Sequence, residues 1–213
     1  MKIIELSKKN DNDVSIIFDT GEQLFLSYEI VLKKGLRRGT EIDEDLYNLL
    51  IDDNRKFFVK QRASRFLSRR LHSVSELKLK LRKFNYETVH IQSVIFELVE
   101  HGYLDDKKFA EIFSDEKRKL KRWGDNKIKA ELLKRGVKIE IINEVLSAGD
   151  SDEENFANAK VLAEKKLKSL QTRESDPRKI SMKVMNYLIG RGFGYELVKQ
   201  VVSEITKSDD TDL

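Results

Sequence analysis

Apolar residues recur along most of this chain three or four positions apart, the spacing of an amphipathic helix, and they do so in the same order three times. The clearest stretch, Ser73 to Asp106, reads as two helices joined by a tight turn, with a second turn that launches the next helix. Its segment KLKLRKFNYETVHIQSVI (78–95) aligns with KAELLKRGVKIEIINEVL (129–146) and with KVMNYLIGRGFGYELVKQVV (183–202). Anchored on Asn85, Gly136 and Gly192, the copies lie 51 and 56 residues apart. Leu77, Ile128 and Val184 stand before the turn, followed by Leu81, Leu132 and Leu188. After it come Ile91, Ile142 and Val198, then Val94, Val145 and Val201. The pattern predicts a mainly α protein of three tandem three-helix repeats in an elongated stack, each burying its face partly against its neighbours.

The first forty residues break this rhythm. IIEL (3–6), VSIIFD (14–19) and QLFLS (23–27) are rich in β-branched and aromatic residues, and Asp19-Thr20-Gly21 reads as a hairpin turn. A small three-stranded unit with one short helix (Tyr28–Lys34, ended by Gly35) is predicted. Such a sheet is marginal alone and needs a body to dock on. The expected segments are a β-rich unit over 1–42, helical repeats over 43–102, 103–148 and 149–207, and a disordered tail over 208–213.

Capping residues set the helix ends. Asp43 is an N-cap candidate followed by Glu44 and Asp45, and Asp52-Asp53 is where the long first helix could break. Ser73-Val-Ser-Glu76 has the capping-box form. Asn85 takes the place of glycine in a left-handed turn. The next helix, roughly 87–100, should bury Val89 or Ile91, and Phe84, Phe109, Ile112 and Phe113 are read as inward-facing. Asp105 or Asp106 caps the helix after it, Asp125 caps the one after Trp123-Gly124, and Ser169–Ser175 reads as a loop. Asp176-Pro177 starts a further helix, since proline at the first helical position has no N–H to waste.

Charge adds what periodicity cannot. The chain has 41 Lys and Arg against 37 Asp and Glu, but they are not evenly spread. Residues 54–83 hold eleven basic residues and one acid, 84–106 hold five acids and no Lys or Arg, and 107–138 hold twelve basic and five acidic. Two basic blocks thus flank an acidic helix. Such blocks attract phosphate backbones or acidic protein faces, and composition does not separate the two. There is no cysteine, which excludes disulfides and cysteine-ligated zinc. No signal peptide is read at the N-terminus and no run approaches the ~20 apolar residues of a membrane span, so a cytoplasmic protein is expected.

Catalytic chemistry finds little support. Histidines 72, 90 and 101 stand singly, and His72 and His101 fall at helix ends where capping explains them. Asp52-Asp53 and Asp105-Asp106 could hold a metal, but helix caps account for them more simply. No phosphate loop, nucleotide fingerprint or activated serine motif is present. No cofactor is expected.

The stretch from Ser73 to Val137 resembles the bacterial RecX regulatory family. The serine-capped helix (Ser73–Leu81), the turn Gly102–Asp106, Phe109–Ala110, the basic run Lys117–Arg122, the break Trp123–Gly124 and the helix Ile128–Val137 follow that family's order. The resemblance covers about 60–205, residues 1–50 resemble the longer N-terminal region of some members, and Asn85 departs from the usual glycine. It implies a modulator rather than an enzyme: a protein that binds the RecA recombinase filament on single-stranded DNA and inhibits strand exchange and the coupled ATPase. The alternative is a basic helical-repeat protein that binds nucleic acid directly, single- or double-stranded DNA among the partners considered. Apart from the resemblance, no heptad zipper is read in the chain, and a monomer is expected. For either partner the expected contacts are Arg62, Arg65, Arg69, Arg70, Lys117, Arg118, Lys119, Lys121 and Arg122, part of whose charge compensates helix C-termini.

Overall fold

A computed structural model describes residues 1–148 and 151–209. It divides into two compact units: Met1–His72 with Leu77–Leu104, and Ser73–Glu76 with Asp105 onward.

In the first unit the β-branched runs form an antiparallel sheet of β1 (Ile3–Lys8), β2 (Asp13–Phe18) and β3 (Gln23–Ser27), with β2 central. The predicted hairpin turn is present, with Gly21 at φ 85°. Alternation sends Val14, Ile16 and Phe18 of β2 inward, where Ile3, Leu26, Ile30, Ile42 and Leu50 meet them. Helix α1 (Tyr28–Lys33) follows directly, its first turn capped by Ser27, whose hydroxyl accepts from the Ile30 N–H.

Asp43 caps α2 (Glu44–Leu67), accepting the Leu46 N–H at 2.7 Å. The helix runs unbroken through Asp52 and Asp53. Neither is a cap: Asp53 pairs with Lys34, and Asp52 with Lys56 one turn on and with His90. Acids so paired have no reason to leave the helix. Asn54 then ties the sheet to α2, accepting the Ser27 N–H at 2.8 Å and donating to the Phe25 carbonyl at 3.0 Å. Helices α3 (Val74–Arg82) and α4 (Thr88–Glu100) complete this repeat. Leu77, Leu81, Ile91, Val94, Ile95 and Leu98 are buried, whereas Val89 and Phe84 are exposed. Between the two helices Asn85 takes φ 55°.

The second unit holds α5 (Asp106–Lys121), α6 (Asp125–Lys134), α7 (Ile139–Ser147), α8 (Ser151–Gln171), α9 (Pro177–Gly190) and α10 (Tyr195–Asp209). One core gathers Phe109, Phe113, Ile128, Leu132, Ile142 and Val145. Another gathers Ala159, Ala163, Val184, Leu188, Val198 and Val201. All twelve apolar positions shared by the three repeats are therefore buried. Asp105 caps α5 and Asp176 caps α9 with Pro177 beside it, but Gly124, not Asp125, occupies the cap position of α6. Ile112 is exposed. Helix α8 extends through Ser169–Gln171, residues read as loop, and α10 takes in residues 208 and 209 of the predicted disordered tail; 210–213 lie outside the described residues.

Two turn-to-turn contacts within this unit match each other. The Gly124 N–H donates to the Arg191 carbonyl and the Asn126 N–H to the Gly192 carbonyl, both at 3.0 Å. A β-carbon on Gly124 would lie 2.5 Å from the Gly192 carbonyl. Fifty-one positions earlier than Gly124, Ser73 donates its hydroxyl to the Arg135 carbonyl, and a β-carbon on Gly136 would lie 2.4 Å from the Ser75 side chain. Arg135 and Gly136 are the repeat equivalents of Arg191 and Gly192.

Candidate partner-binding surface

The first basic run lies on the C-terminal half of α2 and just beyond it. Ser68 ends the helix, so Arg62 and Arg65 stand on it while Arg69 and Arg70 follow it. Arg65, Arg69 and Arg70 are exposed and Arg62 is half-buried. The Arg62 guanidinium lies 4.4 Å above the Phe84 ring, an arrangement in which the ring face stabilises the cation. Phe84 in turn sits 6.0 Å from Phe66, whose ring also carries the Lys80 ammonium at 5.0 Å. Arg65 donates to the Gln61 side chain at 3.2 Å and Arg70 to the Leu71 carbonyl at 2.7 Å.

Beneath this ridge His72 is buried. Its Nδ1 faces the Arg70 carbonyl at 2.9 Å and its Nε2 the Lys80 ammonium at 2.8 Å. The carbonyl accepts and the ammonium donates, which assigns the ring proton to Nδ1. His72 thus fastens the chain after α2 to α3, a structural task. His90 and His101 are similarly engaged, with Asp52 and with the Glu97 carbonyl. Among the described residues no group of three or more His, Asp or Glu side chains could hold a metal, and no helix is long and apolar enough to cross a membrane.

The second run divides between inside and outside. Arg118, read from sequence as a partner contact, is only 4% exposed. Its Nε and Nη2 reach Asp125 Oδ1 at 3.2 and 2.8 Å, while Asn155 donates to Asp125 Oδ2 at 2.8 Å. Arg118 lies four residues after buried Ser114 and so falls on the inward face of α5, locking the α5–α6 turn. It is removed from the candidate surface. Lys117 is half-buried: its ammonium lies 5.0 Å over the Phe113 ring and bonds to Glu116 at 2.6 Å, holding that carboxyl below the usual carboxylate range. Lys119, Lys121 and Arg122 point outward. Lys119 has only a loose pair with Asp115 at 3.6 Å, and Arg122 ends the helix in the left-handed conformation at φ 50°.

Of the nine predicted residues, six are exposed, Arg62 and Lys117 partly so, and Arg118 is internal. The aromatic partners Phe66 and Phe84 were missed. No local spacing announces them, because Arg62 lies over Phe84 and Lys80 over Phe66, partners from different helices or turns. Chemically, exposed guanidinium and ammonium groups beside aromatic rings can bind phosphates and stack on bases, or meet an acidic protein face.

Family models described as the first, second and third three-helix domains of RecX match residues 60–98, 105–146 and 152–202. The regulatory protein RecX of Clostridium botulinum Alaska E43 is 33% identical over 201 residues, covering 94% of this chain and 93% of the relative. That of Clostridium beijerinckii is 32% identical over 213 residues, covering 100% and 98%. Two solved structures share the fold. A crystal structure of regulatory protein RecX superposes with a TM-score of 0.77 at 20% identity, covering 94% of this chain and 98% of that one. RecX from Lactobacillus salivarius superposes at 0.67 and 23% identity, covering 72% and 98%.

Proposed function

Because this chain belongs to the RecX family, we propose that it is a regulator of homologous recombination that binds the RecA recombinase filament on single-stranded DNA and inhibits its strand exchange and ATPase. It acts by occupancy rather than by catalysis, as a cytoplasmic monomer without a cofactor. The observation that carries this reading is the presence of all three RecX domains in tandem, with Arg65, Arg69, Arg70, Lys119, Lys121 and Arg122 exposed on two of them. Exposed cations on each of these two domains suit a partner that presents phosphates or carboxylates.

The test is a RecA ATPase assay on single-stranded DNA with this protein titrated in. Hydrolysis should fall as the protein approaches stoichiometry with the filament; no effect at that ratio sinks the proposal. The Arg62–Phe84–Phe66 arrangement also favours a second reading, direct binding of single-stranded DNA by stacking and phosphate contacts. That binding would need no recombinase and would weaken steeply with salt.

A further inference from the structure

The third helix of the first repeat differs from its two counterparts on the face it shows to solvent. Helix α4 turns Ile91, Val94, Ile95 and Leu98 inward, as the repeat pattern requires. Its opposite face carries Val89 and Phe96, 59% and 66% exposed, seven residues and two turns apart. Val99 flanks them, and Tyr103, just past the helix end, is 68% exposed. Isolated exposed apolar residues are ordinary, but a row of them along one helix face marks a contact surface.

The other repeats supply an internal control. Aligned on Asn85, Gly136 and Gly192, Val89 corresponds to Glu140 and Glu196, and Phe96 to Ser147 and Ser203. The same outward positions are polar in both. Folding of a three-helix repeat therefore does not call for apolar residues there, and their presence in the first repeat has another cause.

The surroundings indicate what covers the row. Residues 84–106 contain five acids and no Lys or Arg, which repels a phosphate backbone. Glu97 is engaged by Lys60 and Glu87 by Arg55, whereas Glu100, beside Phe96 on the same face, is exposed and has no ion-pair partner among the described residues. With Glu87 and Glu97 neutralised by their partners, Glu100 is the acid left at the edge of the apolar row, which matches a protein surface of apolar centre with a cation at its edge.

We infer that the Val89–Phe96 face of α4, flanked by Val99, docks on such a protein surface, and that within the proposed function, on which this inference rests, that surface belongs to the recombinase. This face then takes protein while the basic runs take phosphate. Glu100 sets the orientation through the cation it meets.

Two full-length variants test this. V89E/F96S places at both positions the residues that the other two repeats carry, so the helix keeps its fold. E100K reverses the edge charge. Inhibition of the RecA ATPase on single-stranded DNA is titrated with the parent and each variant, alongside anisotropy of labelled single-stranded DNA with no recombinase present. The half-inhibiting concentration should rise at least tenfold for V89E/F96S and several-fold for E100K, with affinity for DNA alone unchanged. If the parent inhibits and both variants match it, the inference is overturned and the proposed function stands. If the parent does not inhibit, the proposed function falls and takes the inference with it. Loss of affinity for DNA alone would reassign the face to nucleic acid. A parent that sediments as a dimer and a V89E/F96S variant that sediments as a monomer would reassign it to a second copy. Either result overturns the inference.

Discussion

The buried imidazole of His90 on α4 lies 2.7 Å from the Asp52 carboxylate on α2, and Lys56 holds the other oxygen of that carboxylate at 2.6 Å. One half-exposed acid thus joins two helices of the first repeat and gives the buried His90 ring a polar partner.

This pairing makes stability depend on acid. The hydrogen bonds from Lys56 and His90 pull the Asp52 carboxyl below its ordinary value of 3.8. Because the folded value is the lower one, the contribution is complete above the unfolded value and is lost as pH falls through the folded one. Asp52→Asn should cost about 1 kcal/mol at pH 7, a modest figure because the carboxylate is partly solvated. Urea unfolding at pH 7 and pH 2 should show the gap between parent and variant closing in acid. A gap that persists unchanged at pH 2 would show that the charge is not what matters.

At the contact between the α5–α6 and α9–α10 turns, backbone meets backbone where Gly124 faces Gly192. A methyl on Gly192 would strike the Lys127 backbone nitrogen at 2.4 Å, and φ 96° disfavours any side chain there. Gly124→Ala and Gly192→Ala should each lose at least about 2 kcal/mol, since neither neighbour is a flexible side-chain end. Gly190→Ala is the control: its β-carbon meets open space within α9, so the variant should gain a few tenths to about 1 kcal/mol. Thermal melts of the three decide the matter, and an undestabilised Gly192→Ala would mean that the turns separate without loss.

The division of the second basic run predicts a separation of effects. Lys119→Glu, Lys121→Glu and Arg122→Glu together should raise the concentration needed to inhibit the RecA ATPase about tenfold or more, with little change in melting temperature. Arg118→Ala should instead lose about 1–3 kcal/mol, because Asp125 loses its charged partner and keeps only the Asn155 amide. A triple reversal that inhibits as well as the parent would show that the exposed end of α5 is not a contact.

The repeat was legible because its signals are local. Helical spacing placed twelve core positions, all of them buried, and the tolerance of glycine and asparagine for left-handed backbone picked out Asn85, Gly136 and Gly192, at φ 55°, 74° and 96°. Misreadings came where a distant partner decides. Asp52 and Asp53 looked like a helix end because their partners, His90 and Lys34, are 38 and 19 residues away in sequence. Arg118 is a different case: it sits among five basic residues in six and looks like surface, but the helical period that carries Ala110 and Ser114 inward carries it inward too, where Asp125 meets its charge. Phe84 fitted the apolar spacing of α3, yet its ring lies outside under Arg62. The α4 face was hidden for a related reason. Periodicity says which side of a helix is buried, and an apolar residue on the other side registers only when copies of the same helix are compared.

The matched contacts of Ser73–Glu76 with the Gly136 turn, and of Gly124–Lys127 with the Gly192 turn, have an evolutionary reading. Ser73–Glu76 and Gly124–Lys127 act as plugs and the Gly136 and Gly192 turns as their sockets, and the second pair repeats the first about fifty residues on. A tandem duplication of a block of that length brings its own joint with it and needs no compensating change elsewhere. A chain built this way can gain a domain in a single genetic event, after which the outward faces are free to diverge while the joints stay fixed.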